Sequence, residues 1–192
     1  MKTYILIAAA ATFLPHVVGV GAHSDLTKVE RDGLTFMREE EKLARDVYRT
    51  LEIKWGARPF GNIARAEENH MESVKGLLDQ YSIKDPVAKD TPGKFEDADL
   101  QKLYGDLTKR GEKSRIEALK VGALIEELDI ADLKKRADQT TQPDIDAVYE
   151  NLMRGSRNHL RAFYRTLTRS GGSYTPVHIS KAEFDKIVNG SG

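Results

Sequence analysis

Cysteine is absent from the 192-residue sequence. That excludes a disulfide scaffold, thiolate catalysis, Cys-ligated zinc and iron–sulfur or rubredoxin-type centres, so any metal must be held by His, Asp and Glu. An excess of charge of one sign is also missing: 30 basic side chains face 30 acidic ones, which leaves no bulk field to draw a nucleic acid, and none is expected as a partner. Alternating β-branched stretches are scarce, so strands are not expected. Neither a repeat of solenoid period nor a low-complexity tract is visible. The longest apolar run, from Tyr4 to Leu14, is cut by Pro15 and His16, short of the roughly 20 residues a membrane span needs.

What the N-terminus does hold is Lys2, that apolar run and a small-residue ending, Val20-Gly21-Ala22. This pattern predicts a secretory signal over residues 1–22, cleaved before His23, with export to the periplasm or beyond and no stable membrane span after cleavage. His23 would become the new amino terminus, a position that can chelate copper but is more often simply solvated. Residues 23–192 are then read as one domain, about 170 residues being enough for a well-buried core without cross-links.

The remaining sequence is punctuated into helical segments. The first runs from Thr27, where Thr27-x-x-Glu30 can form a capping box, to Trp55, with Gly56 and Pro59 behind it. The second runs from Phe60 to Tyr81 and is closed by Asp85-Pro86. A connection of about 30 residues follows, rich in Pro, Gly and Asp and holding a short helix near Asp97 to Lys109. The third segment runs from Ser114 to Ala137, and Pro143 opens a fourth that reaches Gly171-Gly172. Ser180-x-x-Glu183 marks a last short helix. The expected fold is all-α: a four-helix bundle with a long crossover connection between helices two and three and a short C-terminal helix.

A bundle helix buries residues spaced alternately by three and four, so polar residues on those stripes are informative. The second segment reads Phe60, Ile63, Glu67, His70, Val74, Leu77, Tyr81, and its two polar members form Glu67-x-x-His70. The first reads Leu34, Met37, Glu41, Ala44, Tyr48, Leu51. The third gives Leu119, Gly122, Glu126, Asp129, Leu133, and the fourth Tyr149, Leu152, Ser156, His159, Phe163. Each stripe is interrupted near mid-length, and the interruptions supply four carboxylates and two imidazoles. Ionised carboxylates taken out of water cost several kcal/mol each, so four of them facing one another require counter-charge. Two divalent cations provide it, and mixed oxygen and imidazole donors suit iron, manganese or zinc. The candidate metal ligands are therefore Glu41, Glu67, His70, Glu126, Asp129 and His159. Two ambiguities stay open: Glu40 shares a rival stripe with Phe36, Leu43 and Val47, and Glu127 neighbours Glu126. Glu39, Glu68 and Glu72 are assigned to water, and His178 to the surface of the tail. A lone Glu-x-x-His more often marks a solvated helix face, and it is the agreement of four segments that favours a metal site.

The runs MREEEKLARDVY (37–48), FGNIARAEENHMESVKGLL (60–78), ALKVGALIEELDIADL (118–133) and VYENLMRGSRNHLRAF (148–163) together resemble an uncharacterised ferritin-like family known only as domain of unknown function 2202. The likeness spans nearly all of the chain after residue 22. It implies a ferritin-like bundle distantly similar to rubrerythrins and bacterioferritins, and brings no settled reaction. Placed on the generic ferritin-like pattern, Glu41 takes the first slot, Glu67 and His70 the second, Glu126 the third and His159 the last imidazole. Ser156 stands where that pattern has a Glu, and Asp129, one turn after Glu126, is the carboxylate that can replace it; if it does not reach, the second metal is weakly held and a mononuclear or zinc-like site is the alternative.

A pair of iron ions, with manganese or zinc as alternatives, would make the protein an oxidase, ferroxidase or peroxide-reducing enzyme, with Glu67 as the bridge. Tyr48 and Tyr149 are candidates for electron relay; capping the core with bonded hydroxyls is the simpler role. Without cysteine there is no built-in rubredoxin centre, so turnover needs an external electron donor. Nothing on the outward faces specifies a shell, and a homo-oligomer stays open. Two other classes remain alongside: a non-catalytic exported metal-binding or buffering protein, and a structural bundle without metal.

Overall fold

The structure, a computed structural model, describes residues 25–190; the expected signal segment and His23 lie outside them. It is all-helical, with six helices and no strand among the described residues: α1 (Lys28–Trp55), α2 (Arg58–Gln80), α3 (Ala98–Gly111), α4 (Arg115–Ala137), α5 (Pro143–Arg169) and α6 (Lys181–Asn189). No helix among these residues is long and apolar enough to cross a membrane.

Local chemistry sets the boundaries. Thr27 and Glu30 form a reciprocal capping box at the start of α1: the Glu30 amide donates to the Thr27 hydroxyl (3.2 Å), and the Thr27 amide donates back to Glu30 Oε2 (2.8 Å). Gly56 ends the helix in the left-handed region at φ 57°, where a side chain is strained. Pro59 does not extend that stop. It lies in the first turn of α2, where its missing N–H costs nothing. Asp97, Ser114 and Ser180 cap α3, α4 and α6 through their side chains. The fourth expected segment ends at Arg169 rather than at the glycine pair.

The helices pack as a bundle in which α1 lies against α2 and α4, α5 against α4 and α2, α3 across α1 and α4, and α6 on α5. Leu34, Met37, Leu51, Phe60, Val74, Leu78, Leu119, Ile130, Tyr149, Leu160 and Phe163 fill one continuous core. Removing apolar surface of this kind from water is the main driving force for such a fold.

One expectation is overturned on α1. A helix at the edge of a bundle should turn a polar face to water, yet every residue from Met37 to Tyr48 is buried. The connection between α2 and α4 covers the outer face and is held there by charge. Arg38 donates from Nε and Nη2 to Asp85 (both 3.1 Å), and Arg45 donates to Asp90 and Asp46. Lys42 donates to Asp46 (2.5 Å) and to the Thr91 carbonyl (2.9 Å), and the Gly93 amide donates to Asp46 (2.9 Å). Glu39, assigned to water from the sequence, is buried instead: it accepts from the backbone amides of Glu96 (2.6 Å) and Asp97 (2.9 Å) just ahead of α3. A carboxylate taking two backbone N–H groups replaces the hydration it lost.

Candidate metal centre

Five of the six candidate ligands come from four helices to one buried place. Glu41 projects from α1, Glu67 and His70 from α2, Glu126 from α4 and His159 from α5. They form two trios, Glu41 with Glu67 and His70, and Glu67 with Glu126 and His159; within each trio one ligand atom per residue lies within 4.8 Å of the others. Glu67 belongs to both. Its Oε2 is 2.7 Å from His70 Nδ1, and its Oε1 is 2.9 Å from His159 Nδ1. The outer carboxylates complete the arrangement, with Glu41 Oε2 at 3.2 Å from His70 Nδ1 and Glu126 Oε2 at 3.5 Å from His159 Nδ1.

The three carboxylates are buried, whereas each histidine side chain keeps 13% of its surface exposed. The imidazoles lie side by side between α2 and α5, stacked with centroids 5.4 Å apart and planes 26° from parallel. Gly155 makes room for one of them: a Cβ there would stand 2.5 Å from His70 Nε2. On the apolar side, the Tyr48, Phe60 and Phe163 rings pack together at centroid distances of 5.0 to 6.1 Å. The Tyr48 hydroxyl donates to Glu126 Oε1 (2.6 Å).

The electrostatics show how the groups coexist. Burial drives Glu41 up to about 7 against the pull of His70, and burial together with the Glu67 charge drives Glu126 to the same value. Burial would raise Glu67 as well, but contacts with His159 and His70 outweigh it and hold that carboxyl down at about 2. Burial disfavours both imidazolium forms; Glu41 and Glu67 nevertheless hold His70 up at about 12, and Glu126 and Glu67 hold His159 at about 10. Protons on the two imidazoles therefore balance the carboxylates, in the place where cations would sit.

The residues fit a metal. Glu41 Oε1, Glu67 Oε1 and His159 Nδ1 are buried without a hydrogen-bond partner, although Glu67 Oε1 and His159 Nδ1 are 2.9 Å apart. Carboxylate oxygens and imidazole nitrogens gathered in one place are the donor set of transition-metal sites once the imidazole protons leave.

The other candidates fall nearby or elsewhere. Asp129 is buried next to Glu41 and Glu126 but belongs to neither trio. The Ser156 hydroxyl donates to its Oδ2, and its Oδ1 has no partner. Glu40 is also buried, and it meets Asp132 of α4 rather than the histidines. Glu127 is fully buried away from the trios, accepting from the amides of Val177, His178 and Ile179 and from the Tyr174 hydroxyl. Tyr149 is buried near Arg136 and Glu30, outside the centre, and His178 is exposed. The contact of Tyr48 with Glu126, from a different helix, was not visible as stripe spacing. Neither was the space at Gly155; a glycine on a helix face one residue before Ser156 was the available signal.

Three comparisons bear on this arrangement. The family model described as "Uncharacterized protein domain (DUF2202)" matches residues 30–191. The uncharacterized protein MJ0754 of Methanocaldococcus jannaschii is 53% identical over 166 residues, covering 86% of this chain and 90% of that one. The crystal structure of hypothetical protein MJ0754 from Methanococcus jannaschii aligns with a TM-score of 0.86 at 50% identity, over 94% of this chain and 99% of that chain.

Proposed function

This chain belongs to the DUF2202 domain family, and on that premise we propose that it is an exported, ferritin-like metalloprotein whose core binds two metal ions, iron foremost, for oxidase, ferroxidase or peroxide-reducing chemistry. The observation that carries the reading is Glu67, which offers one oxygen to each of two histidine-containing trios. A carboxylate so shared is what a two-ion centre needs as its bridge. Four long helices, each giving its interior ligands near mid-length, support the ferritin-like assignment, and the Glu67-x-x-His70 pair on α2 supports it further.

Glu41, Glu67 and His70 would hold one ion and Glu67, Glu126 and His159 the other. Asp129, outside both trios, would have to turn its unpartnered Oδ1 toward them to supply the carboxylate that Ser156 cannot; its Oδ2 accepts from the Ser156 hydroxyl. Bound iron would supply redox chemistry toward dioxygen or peroxide. Tyr48 keeps Glu126 in position from the dry side, while Phe60 and Phe163 exclude water behind it. The partly exposed His70 and His159 edges are the approach from solvent. With no cysteine in the chain, reducing equivalents come from an external donor.

Elemental analysis after purification, followed by oxygen consumption on addition of Fe(II), tests the reading. We expect about two equivalents of metal per chain, and Fe(II)-dependent oxygen uptake that Glu67→Ala/His70→Ala abolishes. Ligand at about 100 times its dissociation constant should stabilise the fold by about 2.7 kcal/mol. Metal below about one tenth of an equivalent, with no rise in melting temperature on adding Fe(II), Mn(II) or Zn(II), would sink the metal site. Bound metal with equal oxygen uptake in both proteins would leave a non-catalytic metal-binding protein.

A further inference from the structure

A second cluster of charge lies on the side of α5 turned away from the metal centre. Arg157 and Arg161 stand two positions before and after His159, about 200° round the helix from it, and they face α6 instead. There they line a cavity of about 600 Å³ together with Lys186, Glu183, Ala182 and Ile187 of α6. The Arg161 guanidinium is fixed in place, with Nη1 donating to the Ile187 carbonyl (3.2 Å) and Nη2 to the Asn158 side chain. Most of its N–H donors remain for a ligand. Arg157 Nη2 meets the Met153 sulfur (2.9 Å), a weak acceptor.

Other lysines on the outer faces are paired along their own helices: Lys28 with Asp32, Lys75 with Asp79, Lys102 with Asp106 and, on α6 itself, Lys181 with Asp185. Arg157, Arg161 and Lys186 have no carboxylate within ion-pair distance among the described residues. Three such cations around one cavity repel one another and draw an anion. The charge count selects which anion. Three positive groups less Glu183 leave two, which the dianion of a phosphate monoester cancels and a single carboxylate does not. Guanidinium forks match phosphate oxygens in shape as well as in charge. The cavity is larger than a phosphate group alone needs, and Ala182 and Ile187 give it an apolar wall, so the ligand carries an organic body.

We propose that the cavity between α5 and α6 binds the phosphate monoester of a small organic molecule, with Arg157, Arg161 and Lys186 on the phosphate and Ala182 and Ile187 against the organic body. The site is separate from the metal centre and does not rest on the function proposed for it.

Calorimetric titration of the full chain with phenyl phosphate tests this, with inorganic phosphate and phenol in parallel. Phenyl phosphate is expected to bind at one equivalent, and each of the other two at least about tenfold more weakly. Arg157→Gln/Lys186→Gln is expected to weaken phenyl phosphate by about tenfold or more, while Glu67→Ala/His70→Ala leaves its affinity unchanged. Absence of binding at millimolar concentration, equal affinity for inorganic phosphate or phenol, or wild-type affinity in the Gln variant overturns the site. Binding lost in Glu67→Ala/His70→Ala would put phenyl phosphate on the metal centre, which overturns this site and leaves the metal reading standing. Should the Gln double variant lose its helical circular dichroism, Lys186→Gln alone decides, because that residue is exposed and its side chain bonds nothing in the fold. It is expected to weaken phenyl phosphate by about threefold, and unchanged affinity overturns the site.

Discussion

At the scale of single residues, the centre depends on what is missing as much as on what is present. His70 reaches its position because Gly155 has no Cβ to meet its Nε2. Gly155→Ala is expected to push the ring off Glu67 and weaken metal binding by about tenfold or more, the usual cost of disturbing a ligand's orientation. A chelator-competition titration would measure this, and wild-type affinity in the variant would show that the close approach does not matter. Ser156 illustrates the converse. Where a carboxylate is expected from the resemblance, the chain has a hydroxyl, and Asp129 of α4 leans on it. Spacing along α4 placed Asp129 on the interior stripe, but only the fold decided that it stands beside the two trios and not within either.

At the scale of elements, the long acidic run of α1 was legible as helix and as the source of an inward carboxylate, but not as a contact surface. Three consecutive glutamates have three fates: Glu39 takes the amides ahead of α3, Glu40 faces Asp132, and Glu41 joins His70. Stripe spacing ranks Glu41 above its neighbours because it shares a face with Met37, Ala44 and Tyr48. It does not reveal that the connection covers the other face, since Lys42, Arg45 and Asp46 are buried only after residues 85–93 fold over them. Glu127 does the same for the tail: one carboxylate gathers three successive amides and a tyrosine hydroxyl. Glu127→Ala should therefore release the segment ahead of α6 and leave the main helices intact. Hydrogen exchange is expected to show lost amide protection at residues 177–179 with little change in α1 or α4; retained protection there would mean that the segment is held by other contacts.

At the scale of the whole molecule, the core is a balance of charge that protons or metal can strike. Glu41 and Glu126, raised from 4.5 to about 7 on folding, bind more protons in the folded state. Their contribution to stability is full below 4.5 and is lost as pH rises through 7. His70 and His159, raised from 6.5 to about 12 and about 10, contribute fully below 6.5 and lose that contribution as pH rises toward those values. Glu67, lowered to about 2, works in the opposite sense, losing its contribution only as pH falls below 4.5. The melting temperature of the metal-free protein is thus expected to fall between about pH 5 and pH 9, while added metal stabilises most at the alkaline end because its ligands must give up protons. Calorimetric scans across that range check both trends, and a metal-free melting temperature that rises with pH would contradict the placement of these groups.

By itself the sequence determined the helices and the identity of the interior polar residues, because both follow from periodicity: apolar positions at three-and-four spacing make an amphipathic helix, and a charge on that stripe must go inward with it. Caps and breakers such as Thr27, Gly56 and Pro143 are equally local. Tertiary structure alone decided which of those inward charges share a partner. Glu40 and Glu41 differ by one position in the chain and by an entire environment in space, and Glu126 and Glu127 likewise. That choice is made by the rotation of each helix against its neighbours and by the path of the covering connection, and no interval along the chain encodes either.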